Sequence, residues 1–110
     1  MARFVKGDIL VIPFPFSDLT QAKKRPALII AMLQGDDVIL CQITSQYVKD
    51  SYAILFADED FTTGTLKQRS YIRPNRIFTA DSNIILYQIG HLKPKKMNEV
   101  IEKIIAILRK

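Results

Sequence analysis

The sequence predicts a mainly β fold (α+β): a small, strongly bent antiparallel sheet or barrel, with one C-terminal helix over its open side. Three observations predict it. Apolar, β-branched runs are short and frequent, Pro, Gly and Asp punctuate them, and helical periodicity occurs only at the end of the chain. The 110 residues suit one domain with one core, spanning 1–110, and 48% hydrophobic content excludes a disordered chain. No apolar run approaches the roughly 18 residues of a membrane span. Met1 to Asp8 turns polar after two apolar residues, which predicts no signal peptide.

The first strand runs from Asp8 to Phe14. Pro13 and Pro15 lack N–H donors and place its end at an edge or bulge. Residues 26–33 are a near-continuous apolar run, a buried strand, and Gln34-Gly35-Asp36-Asp37 is a tight turn. Residues 38–44 return as the next strand and complete a hairpin. Cys41, the one cysteine, lies in this run as a small core residue and implies a reducing cytoplasm. Residues 52–57 form another strand before the acidic loop Asp58-Glu59-Asp60. Residues 66–72 alternate partly, with Lys67, Arg69, Tyr71 and Arg73 on one face, until Pro74 breaks the ladder. Residues 76–79 are extended, and residues 83–87 fit a strand or a short helix.

Pro94 suits a first helical turn. Met97, Val100, Ile101, Ile104, Ile105 and Leu108 then follow one apolar face, with Glu99 and Lys103 as an i,i+4 pair opposite. Arg109 and Lys110 suit the negative end of the helix dipole. Lys93, Lys95 and Lys96 sit at its other end, where they cost about a few tenths of a kcal/mol or serve another purpose.

Most catalytic sets are absent. There is no Gly-rich phosphate loop and no Cys/His constellation for a metal, so no cofactor is implied. His91 reads as a surface or capping residue, and Asp58-Glu59-Asp60 as a solvated loop. The net charge of +5 is compatible with a polyanion or an acidic protein partner, and equally with a solvated basic face.

What remains is arginine and hydroxyl chemistry. In a hairpin reaching from Pro26 to Thr44, the first residue of one strand faces the last of the other, so Arg25 and Thr44 come close. A guanidinium beside a hydroxyl can bind a phosphate and stabilise the extra charge of a phosphorane-like transition state. The alternative is that Arg25 pairs with Asp18 and Thr44 caps a turn. A second basic group, Lys67, Arg69, Arg73 and Arg76 with Tyr71 between them, fits a single-stranded nucleic acid, its charges on phosphates and its ring on a base. It fits equally the guarded face of an edge strand.

Gly7-Asp8-Ile9 with Pro13-Phe14-Pro15-Phe16, then Arg25-Pro26-Ala27-Leu28, Ile43-Thr44-Ser45-Gln46 and Ser70-Tyr71-Ile72-Arg73-Pro74 occur in an order and spacing that resembles the PemK/MazF toxins of bacterial toxin–antitoxin systems. With the terminal helix, the resemblance covers nearly the whole chain. It implies an SH3-like barrel, a cytoplasmic homodimer, and an mRNA interferase that cuts single-stranded RNA at short sequences without metal. The ribose 2′-OH attacks the adjacent phosphate, leaving a 2′,3′-cyclic phosphate and a 5′-OH. On this resemblance the catalytic residues are Arg25, Thr44 and Arg73. Arg25 stabilises the charged phosphate or acts as an acid, and Thr44 holds the scissile phosphate. Substrate-binding positions are Asp18, Lys23, Lys24, Ser45, Tyr71, Asn75 and Arg76, and an acidic antitoxin would cover the same groove.

Two departures leave the general base unassigned. Asn75 stands where some relatives carry an acidic residue, and residues 17–24 hold no histidine. Asp18 could substitute, catalysis could rest on electrostatic stabilisation alone, or this copy could be slow or inactive. A second class of function therefore stays open: a non-catalytic protein on the same scaffold that binds RNA or DNA, or inhibits a protein target as gyrase-inhibiting toxins do.

Overall fold

The computed structural model describes residues 4–14 and 23–110. Seven antiparallel strands form one sheet: β1 (Asp8–Phe14), β2 (Lys23–Met32), β3 (Asp37–Thr44), β4 (Ile54–Phe56), β5 (Phe61–Gly64), β6 (Ser70–Asp81) and β7 (Tyr87–Leu92). Helix α1 (Pro94–Leu108) follows. The strand order is β4-β6-β3-β2-β1-β7-β5, so the two edge strands are neighbours in sequence.

That order forces the sheet to curl. Seven flat strands would hold their edges about 29 Å apart at the usual strand spacing. The chain from Phe56 to Phe61 spans at most about 18 Å. The sheet therefore bends into a half-barrel, and Phe56 and Phe61 stack across the junction with ring centroids 5.9 Å apart. A 3-10 turn at Asp58–Asp60 bridges the edges. Its acidic residues have local partners: Asp60 accepts from the Ala57 N–H at 2.9 Å, and Asp58 accepts from the Thr65 hydroxyl.

Side chains divide into two apolar clusters on opposite faces of the central strands. The inner one joins Ile9, Leu28, Cys41, Ile43, Ile72 and Leu92 to Met97, Val100 and Ile104 of α1. The outer one joins Leu10, Ile12, Ala27, Ile29, Val38 and Leu40, with Phe78 packed against it. Burial pushes the Cys41 thiol up to about 12, so this cysteine is an inert core residue.

The helix begins at Pro94 as its sequence implies. Its apolar face is narrower than expected: Ile105 and Leu108 are 37% and 72% exposed, because the stripe buried in the core is Met97, Val100 and Ile104, with Ile101 packed against its side. Glu99 pairs with Lys96 at 3.1 Å. Lys96 also approaches Asp60 at 3.8 Å and donates to the Leu55 carbonyl, which explains a lysine in the first turn: it ties α1 to the bridge between the sheet edges.

Several boundaries differ from the sequence reading. β2 begins at Lys23, β4 is only Ile54–Phe56, and β6 starts at Ser70, so Lys67 and Arg69 lie on the loop before it. Residues 83–87 divide between a 3-10 turn at Ser82–Ile84 and the start of β7. Pro74 does interrupt the ladder. Cys41 pairs with Ile77 and Gln42 with Arg73, so Pro74, Asn75 and Arg76 bulge from β6 without partners on β3. Pro13 lies beyond the last β7 partner of β1, Val11, where its missing N–H costs no ladder bond. His91 is half-buried, its Nδ1 2.8 Å from the buried Asp8 carboxylate, which also accepts from Val5 N–H and Gln88.

Candidate active site

The hairpin register carries Arg25 to Thr44. Ala27 pairs with Gln42 across β2 and β3, and the same register continued two residues sets Arg25 opposite Thr44. Thr44 in turn pairs with Tyr71, and Gln42 with Arg73, on β6. Residues paired directly across strands share a face. Arg25, Gln42, Thr44 and Arg73 thus come from three adjacent strands onto the outer face.

Two cavities flank this group. The first, about 320 Å³, is lined by Ile12, Phe14, Gln42, Arg73 and Phe78 together with Arg25 and Thr44. The second, about 330 Å³, is lined by Lys24, Ser45, Gln46, Lys67, Gln68 and Ser70, again with Arg25 and Thr44. Arg25 and Thr44, with Pro26 and Ile43, line both and form the ridge between them. Among the described residues no carboxylate lines either cavity. Among the described residues Arg25, Lys24 and Lys67 make no ion pair, so their charge is available to an anion.

Thr44 Oγ1 accepts from the Gln46 N–H at 3.1 Å, which fixes the oxygen and leaves its hydrogen to donate. Arg73 is held from behind: Nη2 donates to Asp50 Oδ2 at 3.1 Å. The other Asp50 oxygen accepts from the Tyr52 and Ala53 N–H groups, both at 3.0 Å. Burial works to raise the Asp50 carboxyl. The Ala53 N–H, the Arg73 hydrogen bond, the Tyr52 N–H and the Arg73 charge outweigh it and hold the carboxyl below its ordinary value. Arg73 Nε is buried without a hydrogen-bond partner among the described residues.

Of the residues expected at the site, Arg25, Thr44, Arg73, Lys24 and Ser45 are brought together. Lys23 pairs with Phe14 at the start of β2, exposed and outside both cavities. Asn75 and Arg76 are exposed on the bulge and line neither cavity. Tyr71 also lies outside them, with its ring edge-on to Tyr47 at 6.2 Å. Arg69 lies with Asp58, Glu59 and Lys67 around a separate depression. Asp18, and with it the alternative Arg25–Asp18 pair, lies outside the described residues. The sequence reading missed Phe14, Gln42, Gln68 and Phe78 as lining residues and Asp50 as the anchor of Arg73. Only the interleaved charges 67–76 pointed towards that side.

A family model described as PemK-like, MazF-like toxin of type II toxin-antitoxin system matches residues 5–108. The chain belongs to this family. Its PemK/MazF fold is also found in solved structures. An endoribonuclease from a mycobacterial species, in complex with its cognate antitoxin, is 17% identical over 98% of this chain and 95% of that one, with a TM-score of 0.72. MazE-MazF from Deinococcus radiodurans (13% identity, 97% of each chain, TM-score 0.74) and the Mycobacterium tuberculosis toxin MazF-mt6 (18%, 93% and 96%, TM-score 0.73) have the same architecture. At these identities the likeness is one of fold. Among curated proteins, none matches the chain. No helix among the described residues is long and apolar enough to cross a membrane.

Proposed function

We propose that this PemK/MazF-family chain is the toxin of a type II toxin–antitoxin pair and acts as an endoribonuclease on single-stranded RNA. The observation that carries the proposal is the ridge of Arg25 and Thr44 between two cavities that hold three further cations and, among the described residues, no carboxylate. A phosphodiester laid across the ridge meets a guanidinium and a hydroxyl donor, and the strand on either side enters a cavity.

In the reaction, the ribose 2′-oxygen forms a bond to phosphorus and the bond to the 5′-oxygen breaks. The products are a 2′,3′-cyclic phosphate and a 5′-OH. Charge rises on the non-bridging oxygens in the phosphorane, where Arg25 and Arg73 stabilise it and Thr44 fixes its position. The 2′-OH proton must leave and a proton must reach the 5′-oxygen. Arg25 lies where it can supply the second, and the acceptor of the first is unassigned among the described residues. Lys24 and Ser45 contact the flanking backbone. An acidic antitoxin and a second copy of the chain complete the assembly in this reading.

That no described carboxylate lines the cavities, with Asn75 exposed on the bulge, favours one second reading, a protein that binds RNA on this surface without cleaving it. One assay separates them: purified protein incubated with mixed single-stranded RNA in EDTA. Discrete fragments ending in cyclic phosphate, lost in Arg25→Ala, support the endoribonuclease. Intact RNA with measurable binding supports the second reading.

A further inference from the structure

Arg73 lines the first cavity from a point where the sheet holds it on one side only. It pairs with Gln42, and Pro74, Asn75 and Arg76 after it have no partners on β3. A long side chain beside such a bulge keeps many rotamers unless something else fixes it. Asp50 does so. It stands 23 residues earlier, in the loop between β3 and β4, and lines neither cavity. Its two oxygens have different partners. Oδ1 accepts from the Tyr52 and Ala53 N–H groups and closes a turn within the loop, while Oδ2 accepts from Arg73 Nη2. Closing the turn needs only Oδ1. The loop backbone therefore holds the carboxylate in place independently of the guanidinium, and the second oxygen is turned to a distant part of the chain. With Nη2 engaged and Nε buried without a partner among the described residues, the Nη1 end of the fork remains for an anion.

We propose that Asp50 is a positioning residue for phosphodiester cleavage: it holds the Arg73 guanidinium in the direction in which its Nη1 end meets the reacting phosphate. The proposal rests on the endoribonuclease reading above and adds the group that preorganises the second arginine of that site. A donor fixed before the reaction stabilises developing charge without having to reorganise. Asp50 acts through Arg73 and takes no proton from the 2′-OH, because it lies outside both cavities.

Asp50→Asn separates the two contacts. An asparagine oxygen still accepts from the loop N–H groups, and its NH2 group then faces the guanidinium, where it cannot accept. Far-UV circular dichroism establishes that the variant is folded. Steady-state cleavage of mixed single-stranded RNA is expected to lose up to about 100-fold in kcat, with KM little changed. In an Arg73→Ala background the same substitution should cost nothing further, which a merely structural role would not produce. NMR relaxation of the arginine Nε–H groups gives a readout independent of cleavage. Arg73 should be ordered in the wild type and, in Asp50→Asn, as mobile as the exposed Arg76. Unchanged kcat in Asp50→Asn, or losses that add in the double variant, overturns the positioning role and leaves the endoribonuclease reading intact. Unchanged Arg73 relaxation in Asp50→Asn overturns it as well. A wild type that cleaves no RNA sinks the endoribonuclease reading, and the relaxation then decides by itself whether Asp50 orients Arg73.

Discussion

Replacing Gly64 with alanine tests how the sheet closes. Gly64 ends β5 with φ of +84° and pairs with Gly90 of β7. A Cβ there would lie 2.2 Å from the Ile89 carbonyl oxygen and 2.5 Å from Gly90 Cα, both backbone atoms that cannot rotate aside. Two costs add. Left-handed backbone in an L-residue costs about 1–2 kcal/mol, and forcing an atom into filled space about 1–3 kcal/mol. The stiffer unfolded chain offsets about 0.4–1 kcal/mol. The expected net loss is about 2–4 kcal/mol, a fall in Tm of about 8–16 °C for a chain of this length. Gly35 provides the control. Its φ is +71°, but nothing lies within 4 Å of an added Cβ. Gly35→Ala carries the backbone cost alone, about 1 kcal/mol or less, and a Tm fall of about 4 °C. Thermal unfolding followed by circular dichroism measures both. Equal shifts in the two variants would falsify the claim that close approach of β5 and β7 limits residue size at Gly64.

Two further predictions concern the site. Lys24→Ala should lower the slope of log binding constant against log salt for single-stranded RNA by about 0.7, the value for one phosphate contact, and Lys23→Ala should leave it unchanged. Reversal of the two results would mean the strand follows another path. Asp50 is a carboxylate whose folded value is depressed, so its contribution to stability is present above the ordinary aspartate range and is lost as pH falls through the folded value. Asp50→Asn should therefore be less stable than wild type at neutral pH and should lose less stability than wild type as the medium is acidified below about pH 4. Parallel urea-unfolding midpoints for the two proteins from pH 7 to pH 3 would rule out the Arg73–Asp50 pair as the cause.

The parts of the fold visible in the sequence are those whose burial is written in side chains. β1, the β2–β3 hairpin and α1 carry continuous or periodic apolar residues, and their expected limits lie within a few residues of those observed. β5 and β7 were not visible as strands. Phe61–Gly64 exposes three of its four residues, and Tyr87–Leu92 buries only Gly90 and Leu92 outright, so backbone pairing rather than apolar pattern defines both. The loop before β6 was misread for the opposite reason: Lys67, Arg69 and Tyr71 alternate like a strand, yet pairing starts only at Ser70.

The nearness of Arg25 and Thr44 was legible because a hairpin fixes it locally. Phe78 and Gln42 were not, because their meeting depends on how many residues bulge from β6. With Pro74, Asn75 and Arg76 unpaired, Phe78 stands opposite Leu40 and Arg73 opposite Gln42. A bulge one residue longer or shorter would turn the aromatic ring to the other face of the sheet, and sequence pattern does not state that length.

Ile12 and Ala27 belong at once to the outer apolar cluster and to the lining of the first cavity. A larger side chain at Ala27 therefore changes the shape of that cavity and the packing of β1 on β2 together. Gln42 lines the same cavity but lies outside the cluster, so its replacement leaves that packing alone.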